Sequence, residues 1–197
     1  MEKKRWIERS ARLALATSAL AVCATAAALP PSAAMLTNAC AGCHGTLGAS
    51  AGLTMPSLAG QSKEAIVDAM KKFKSGERPS TVMGRLAKGY TDADFAAMGG
   101  FYAGQKLHMT QQTVDPKRVA KGASLQESSC ARCHIEDGKE GKADTPAMAG
   151  QWLPYLQMQM AMYMQGTRKM PDEMAEKVKP LSADDIESLL HFYANVK

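Results

Sequence analysis

Cys40-Ala41-Gly42-Cys43-His44 and Cys130-Ala131-Arg132-Cys133-His134 stand 90 positions apart and hold every cysteine beyond residue 34. A Cys-x-x-Cys-His run sets two thiols a helical turn apart, able to add across the two vinyl groups of a haem. The adjacent imidazole is then held beneath the iron as an axial ligand. The spacing predicts two covalently attached haem c groups, one on Cys40 and Cys43 with His44 on the iron, the other on Cys130 and Cys133 with His134. A four-cysteine zinc site spaces its pairs ~15–20 residues apart, whereas 86 residues separate Cys43 from Cys130. Structural disulfides would leave both histidines unexplained.

The segments that must position these motifs repeat with them. Pro56-Ser57-Leu58-Ala59-Gly60-Gln61 recurs as Pro146-Ala147-Met148-Ala149-Gly150-Gln151, and Phe73, Gly76 and Arg78 as Tyr163, Gly166 and Arg168. One inserted residue then moves the offset to 91, so Met83 falls on Met174. These two methionines, just ahead of the final helix of each copy, are the expected second axial ligands. Methionine is common in the chain, with 14 copies, and more often fills a core; Met170 is the alternative in the second copy. His108 and His191 lack counterparts and read as surface or packing residues. A His/Met pair closes both faces of an iron and suits single-electron transfer at relatively high potential. Pro56 and Pro146, lacking an N–H, are placed to offer a carbonyl to the proximal ring, although each also fits an ordinary turn.

Both copies read as helical, with no strand-like alternation. The last helix of each starts at Thr91 or Ser182, with Asp94 or Asp185 three residues on as a weakened capping box. Phe95, Met98 and Tyr102, and Ile186, Leu189, Leu190 and Tyr193, then form a buried stripe. After each Ala-Gly-Gln segment, Ile66, Met70 and Phe73 match Leu156, Met160 and Tyr163 on one face. Opposite them Asp68 and Lys72 are replaced by Met158 and Met162, which predicts a contact with the first domain or with a partner. About 80 residues per copy make a small core, which a haem would complete. The expected fold is all-α: two tandem domains at 35–105 and 119–197, joined by a polar linker at 106–118.

Residues 1–34 form a separate unit. Five basic side chains against two acidic ones lead into an Ala/Leu-rich run from Leu13 to Leu29 that ends in small residues. This reads as a secretory signal peptide cleaved between Ala28 and Met35, and implies a periplasmic protein with no membrane span after cleavage. The remaining charge of +2 is too small for a nucleic-acid footprint.

Met35-Leu36-Thr37-Asn38-Ala39 running into CAGCHGT, FKSGE (73–77), STVMGRLAKGY (80–90) and AGQWLPYLQ (149–157) resemble the dihaem cytochrome subunits of flavocytochrome c sulfide dehydrogenases. The resemblance implies two class I cytochrome c-like domains and an FAD-containing flavoprotein subunit that oxidises sulfide. This chain would take electrons from the flavin and pass them to an acceptor cytochrome or similar carrier. The chain itself would be no enzyme: no free thiol remains after haem attachment, no Gly-rich dinucleotide fingerprint occurs, and both irons are closed. Within the same class, a free-standing tandem dihaem cytochrome c is the alternative. A dihaem peroxidase would need an open iron, against the Met83/Met174 symmetry.

Overall fold

The side chain of Ser32 accepts the Met35 N–H and so starts α1 (Ala33–Asn38), which runs into the short α2 (Ala41–His44) carrying the first Cys-x-x-Cys-His. Ser62 caps α3 (Lys63–Ser75) in the same way, and Gly76, left-handed at φ 85°, ends it. A short α4 (Met83–Leu86) leads to α5 (Asp92–Ala103). The second half repeats the plan with α6 (Pro116–Leu125), α7 (Leu153–Met164), α8 (Asp172–Val178) and α9 (Ala183–Asn195). This computed structural model describes residues 31–197 except Asp144, and Ser32–Lys197 forms one compact unit. The expected signal segment lies outside the described residues as far as residue 30. Among the described residues there is no strand, as the sequence predicts, and no helix is long and apolar enough to cross a membrane.

Both final helices begin in complete capping boxes. Asp94 accepts the Thr91 N–H at 2.8 Å and Asp185 the Ser182 N–H at 2.9 Å, so the shorter Asp side chain closes the box as well as Glu would. The segment expected as a linker already contains the first turn of α6, because Asp115 caps it and Pro116 supplies a preset φ at its start.

Each half buries the face its spacing predicts. Ile66, Met70, Phe95, Met98 and Tyr102 form one core, with Cys40, Phe73 and Met83 packed against it. Leu156, Leu189, Leu190 and Tyr193 form the other, with Cys130, Met148 and Met160 alongside.

The halves meet through polar groups. Gln61 Nε2 donates to Ala147 O at 2.8 Å and its Oε1 accepts the Ala147 N–H at 3.0 Å. Gln151 does the same to Ser57, at 2.7 and 3.1 Å. Gln61 and Gln151 are repeat equivalents, as are Ser57 and Ala147, so the contact is nearly two-fold symmetric. All four are buried, and each amide satisfies a peptide that would otherwise lose water without replacement, a cost of ~1–3 kcal/mol per group. Residues 107–110 run between the two Ala-Gly-Gln segments, where a Cβ on Gly60 would fall 2.3 Å from Leu107 and one on Gly150 2.5 Å from Met109.

On α7 the first half is met by Tyr155 and Gln159. Arg78 stacks on Phe73 at 4.6 Å and reaches the Tyr155 hydroxyl at 3.4 Å and Gln159 Oε1 at 3.1 Å. Met158 remains 40% exposed, and the long Arg78 side chain bridges the halves at its neighbour Gln159. Met162 is half-buried.

Candidate haem sites

In the first half the motif is helical, and the chain leaves it through Gly45 at φ 76°, a conformation in which a Cβ would lie 1.9 Å from Ala49 O. That turn brings the following loop beneath the ring. His44 is 7% exposed and its Nδ1–H donates to Pro56 O at 2.8 Å, the role expected of Pro56. Burial pushes the imidazole pKa down, with the Pro56 carbonyl opposing it in part. The ring is therefore neutral at pH 7, its proton is on Nδ1, and the Nε2 lone pair is available to a metal. Cys40 is half-buried beside Tyr102, and burial raises its thiol pKa; Cys43 is exposed. Met83 packs into the same cluster as Cys40.

The second half brings the same residue types together differently. Gln126–Cys130 forms a π-helical turn ahead of the motif, a feature frequent at functional sites. Gln126, where the first half has Leu36, is 2% exposed. Its Nε2 donates to His134 O at 2.7 Å, and its Oε1 accepts the Tyr193 hydroxyl. His134 Nδ1 is buried without a hydrogen-bond partner, so Pro146 does not play the part that Pro56 plays. Burial lowers the His134 pKa and raises that of Cys130. Met174 lies half-buried in α8, and its neighbour Glu173 pairs with Arg132 of the Cys-x-x-Cys-His loop at 3.5 Å. That pair is exposed on both sides and holds little, and Met174 lies outside the cluster containing Cys130. Met170 is also half-buried. His191 has a structural role, its Nδ1 accepting the Asp115 N–H at 3.0 Å, as its lack of a counterpart suggests.

This donor set fits haem c. Among the described residues four free thiols occur in two pairs, each with its own imidazole and a thioether on a helix further along. Zinc does not fit, since among the described residues no three His, Cys, Asp or Glu side chains converge. Gln61, Gln126 and Gln151 carry polar contacts around the sites that the sequence reading did not assign; the signal for two of them was a glutamine kept at both copies of the Ala-Gly-Gln segment.

Two such motifs on a tandem helical chain define a c-type cytochrome with two haems, and comparison with known proteins agrees. Residues 32–115 match the family model for cytochrome c, and residues 117–192 that for cytochrome c oxidase, cbb3-type, subunit III. Cytochrome c4 of Pseudomonas aeruginosa is 31% identical over 138 residues, 66% of this chain and 68% of that protein. The thiosulfate dehydrogenase electron acceptor of Stutzerimonas stutzeri is 30% identical over 179 residues, 80% and 79% of the two chains. The cytochrome subunit of sulfide dehydrogenase of Chlorobaculum tepidum is 47% identical over 68 residues, 34% of this chain and 61% of that one. The crystal structure of reduced cytochrome c4 from Pseudomonas stutzeri superposes with a TM-score of 0.72 over 82% of this chain and 95% of that one, at 23% identity, and shares the fold. The chain belongs to the dihaem cytochrome c family: an all-helical, tandem class I electron-transfer cytochrome carrying two covalent haem c groups.

Proposed function

We propose that this chain is the periplasmic electron-accepting subunit of a sulfide-oxidising complex whose other subunit contains FAD. The 47% identity over 68 residues to a sulfide dehydrogenase cytochrome subunit carries this reading. Residues 1–34 direct export, residues 35–105 and 119–197 are the two haem domains, and residues 106–118 join them. Cys40 and Cys43, and Cys130 and Cys133, would hold the haems by thioether bonds, and His44 with Met83 and His134 with Met174 would ligate the irons. Bound haem supplies a reversible one-electron couple. The protein's part would be to occupy the remaining ligand positions of each iron, so that oxygen and peroxide find no site, and, at His44, to keep the ring's proton on Nδ1. Two one-electron acceptors on one chain match a donor that releases electrons in pairs.

A second reading has its own support. The 30% identity that spans 80% of the chain is to a thiosulfate dehydrogenase electron acceptor, and would make thiosulfate the reductant through a different partner. Rapid-mixing reduction of the oxidised holoprotein decides between them. The expected result is that sulfide reduces both haems quickly only when the FAD subunit is present. Fast reduction by thiosulfate with a thiosulfate dehydrogenase, and none with sulfide and the flavoprotein, replaces the first reading by the second. Equal rates from any reduced cytochrome point to a free-standing carrier. Mass spectrometry of the denatured protein is expected to show two haem additions.

A further inference from the structure

The peptide bond between Pro56 and Ser57 is engaged on both sides. Its carbonyl accepts the His44 Nδ1–H at 2.8 Å, and its N–H donates to Gln151 Oε1 at 3.1 Å. Gln151 belongs to the other half of the molecule. Its orientation is fixed by Nε2, which donates to Ser57 O at 2.7 Å, and its main chain by Gln112, whose Nε2 donates to Gln151 O at 2.8 Å. Ser57 is 2% and Gln151 4% exposed, so water does not compete for these bonds. A peptide whose N–H donates becomes a better acceptor at its carbonyl, because hydrogen bonds in series polarise one another by roughly 10–30% per bond in a low-dielectric interior. A ring N–H held more firmly by that carbonyl makes the imidazole a more basic axial ligand, which favours ferric over ferrous iron.

The mirror chain is incomplete. Gln61 grips Ala147 with the same pair of bonds, but His134 Nδ1 has no partner, so the Pro146–Ala147 peptide has no ring proton to hold.

We propose that Gln151 is a positioning residue for the first haem: acting from the second half through the Pro56–Ser57 peptide, it strengthens the His44 hydrogen bond and lowers that haem's reduction potential. Gln61 exerts no such effect on the second haem. The interface is therefore a one-way coupling as well as a seam, and it sets the two haems apart. The inference rests on His44 being an iron ligand.

The test uses the full-length holoprotein with Gln151→Leu, Gln61→Leu and Gln151→Glu. Each haem's potential is read by spectroelectrochemistry, and the His44 ring N–H by proton NMR of the ferrous state. Gln151→Leu is expected to shift the first haem's reduction equilibrium roughly two- to tenfold toward ferrous, to move the His44 N–H resonance upfield, and to leave the second haem unchanged. Gln61→Leu should move neither potential. Gln151→Glu keeps an acceptor for the Ser57 N–H but adds charge, so it is read by the His44 N–H resonance, which should not move upfield. An unchanged first potential or an unchanged resonance in Gln151→Leu overturns the proposal. So does a Gln61→Leu variant that shifts both haems as far as Gln151→Leu does, which would mark loosened packing. Should Gln151→Leu fail to fold, Gln151→Glu decides alone, an upfield shift of the His44 N–H resonance being the overturning result. Failure of the His44 assignment itself would show earlier, as wild-type protein lacking a low-spin haem on Cys40 and Cys43.

Discussion

His44 and His134 close the same Cys-x-x-Cys-His run, yet what enters and what leaves each run differs. Leu36 before the first motif is an apolar side chain packed on the core; Gln126 before the second is a buried amide that clasps the His134 carbonyl and the Tyr193 hydroxyl. After the first motif Gly45 turns at φ 76°, and after the second Ile135 stays at φ −69°. A β-branched residue resists positive φ, so the second chain turns one residue later, at Glu136 with φ 49°, and there His134 Nδ1 has no hydrogen-bond partner. The groups that would bond the haem are the same in both halves, and their hydrogen-bonded surroundings are not. A duplicated carrier with unequal surroundings has unequal sites.

Axial substitution breaks the comparison most severely. Met83→Ala and Met174→Ala are each expected to remove half of the sulfur-to-iron charge-transfer band and to open one ferrous iron to carbon monoxide, with Met170→Ala leaving the band intact. A full band in Met174→Ala and a halved one in Met170→Ala would move the second assignment by four residues. It would also make the distal side of the second site as divergent as its proximal side.

The exits are next in size. Gly45→Ala places a Cβ 1.9 Å from Ala49 O in a left-handed conformation, and is expected to cost ~2 kcal/mol or more in denaturant unfolding of the holoprotein. Ile135→Gly loses only conformational restriction and partial burial, ~1 kcal/mol. Equal losses from the two would show that the exits do not distinguish the halves.

Much of this was legible in the sequence because it was written twice. The helical stripes Ile66/Met70 and Leu156/Met160, the Thr91 and Ser182 caps and the two motifs all follow from local periodicity, and repetition separated signal from coincidence. The Pro56 carbonyl was legible as a type of contact, but not as one confined to a single copy: Gly45 against Ile135 is a one-residue difference whose effect depends on a φ angle. The glutamine pairing was hidden for another reason. Gln61 and Gln151 bond to main-chain atoms of the opposite half, and a side chain that recognises a peptide leaves no complementary residue in the sequence to find. Met158 and Met162 were legible as one apolar face, but helical periodicity tells which residues share a face and not what covers it.

The smallest expected effect concerns the two capping boxes, which are alike in geometry and unlike in charge. Hydrogen bonds from Thr91 hold the Asp94 carboxyl below the usual carboxylate range. Asp185 is held lower still, first by Lys121, whose Nζ lies 2.7 Å away, and then by Ser182. Lys121 also pairs with Asp184 at 2.6 Å, and both partners raise its own pKa. A carboxylate whose pKa is depressed on folding contributes stability that is fully present above the unfolded value, about pH 4. That contribution is lost as pH falls through the folded value. Lys121 is raised, so its share is complete below about pH 10 and fades only in stronger alkali. Between these limits the Lys121–Asp184–Asp185 part of the α6–α9 crossing keeps its full contribution, and acid should loosen it at a lower pH than the α5 cap. Lys121→Met is expected to move the Asp185 titration upward toward that of Asp94 without reaching the unfolded value, since the Ser182 bonds remain. Carbon-detected NMR titration of the two carboxyls reads this directly. An Asp185 pKa that does not move would mean that the cap alone sets it, and that the two final helices are held at their starts by the same forces.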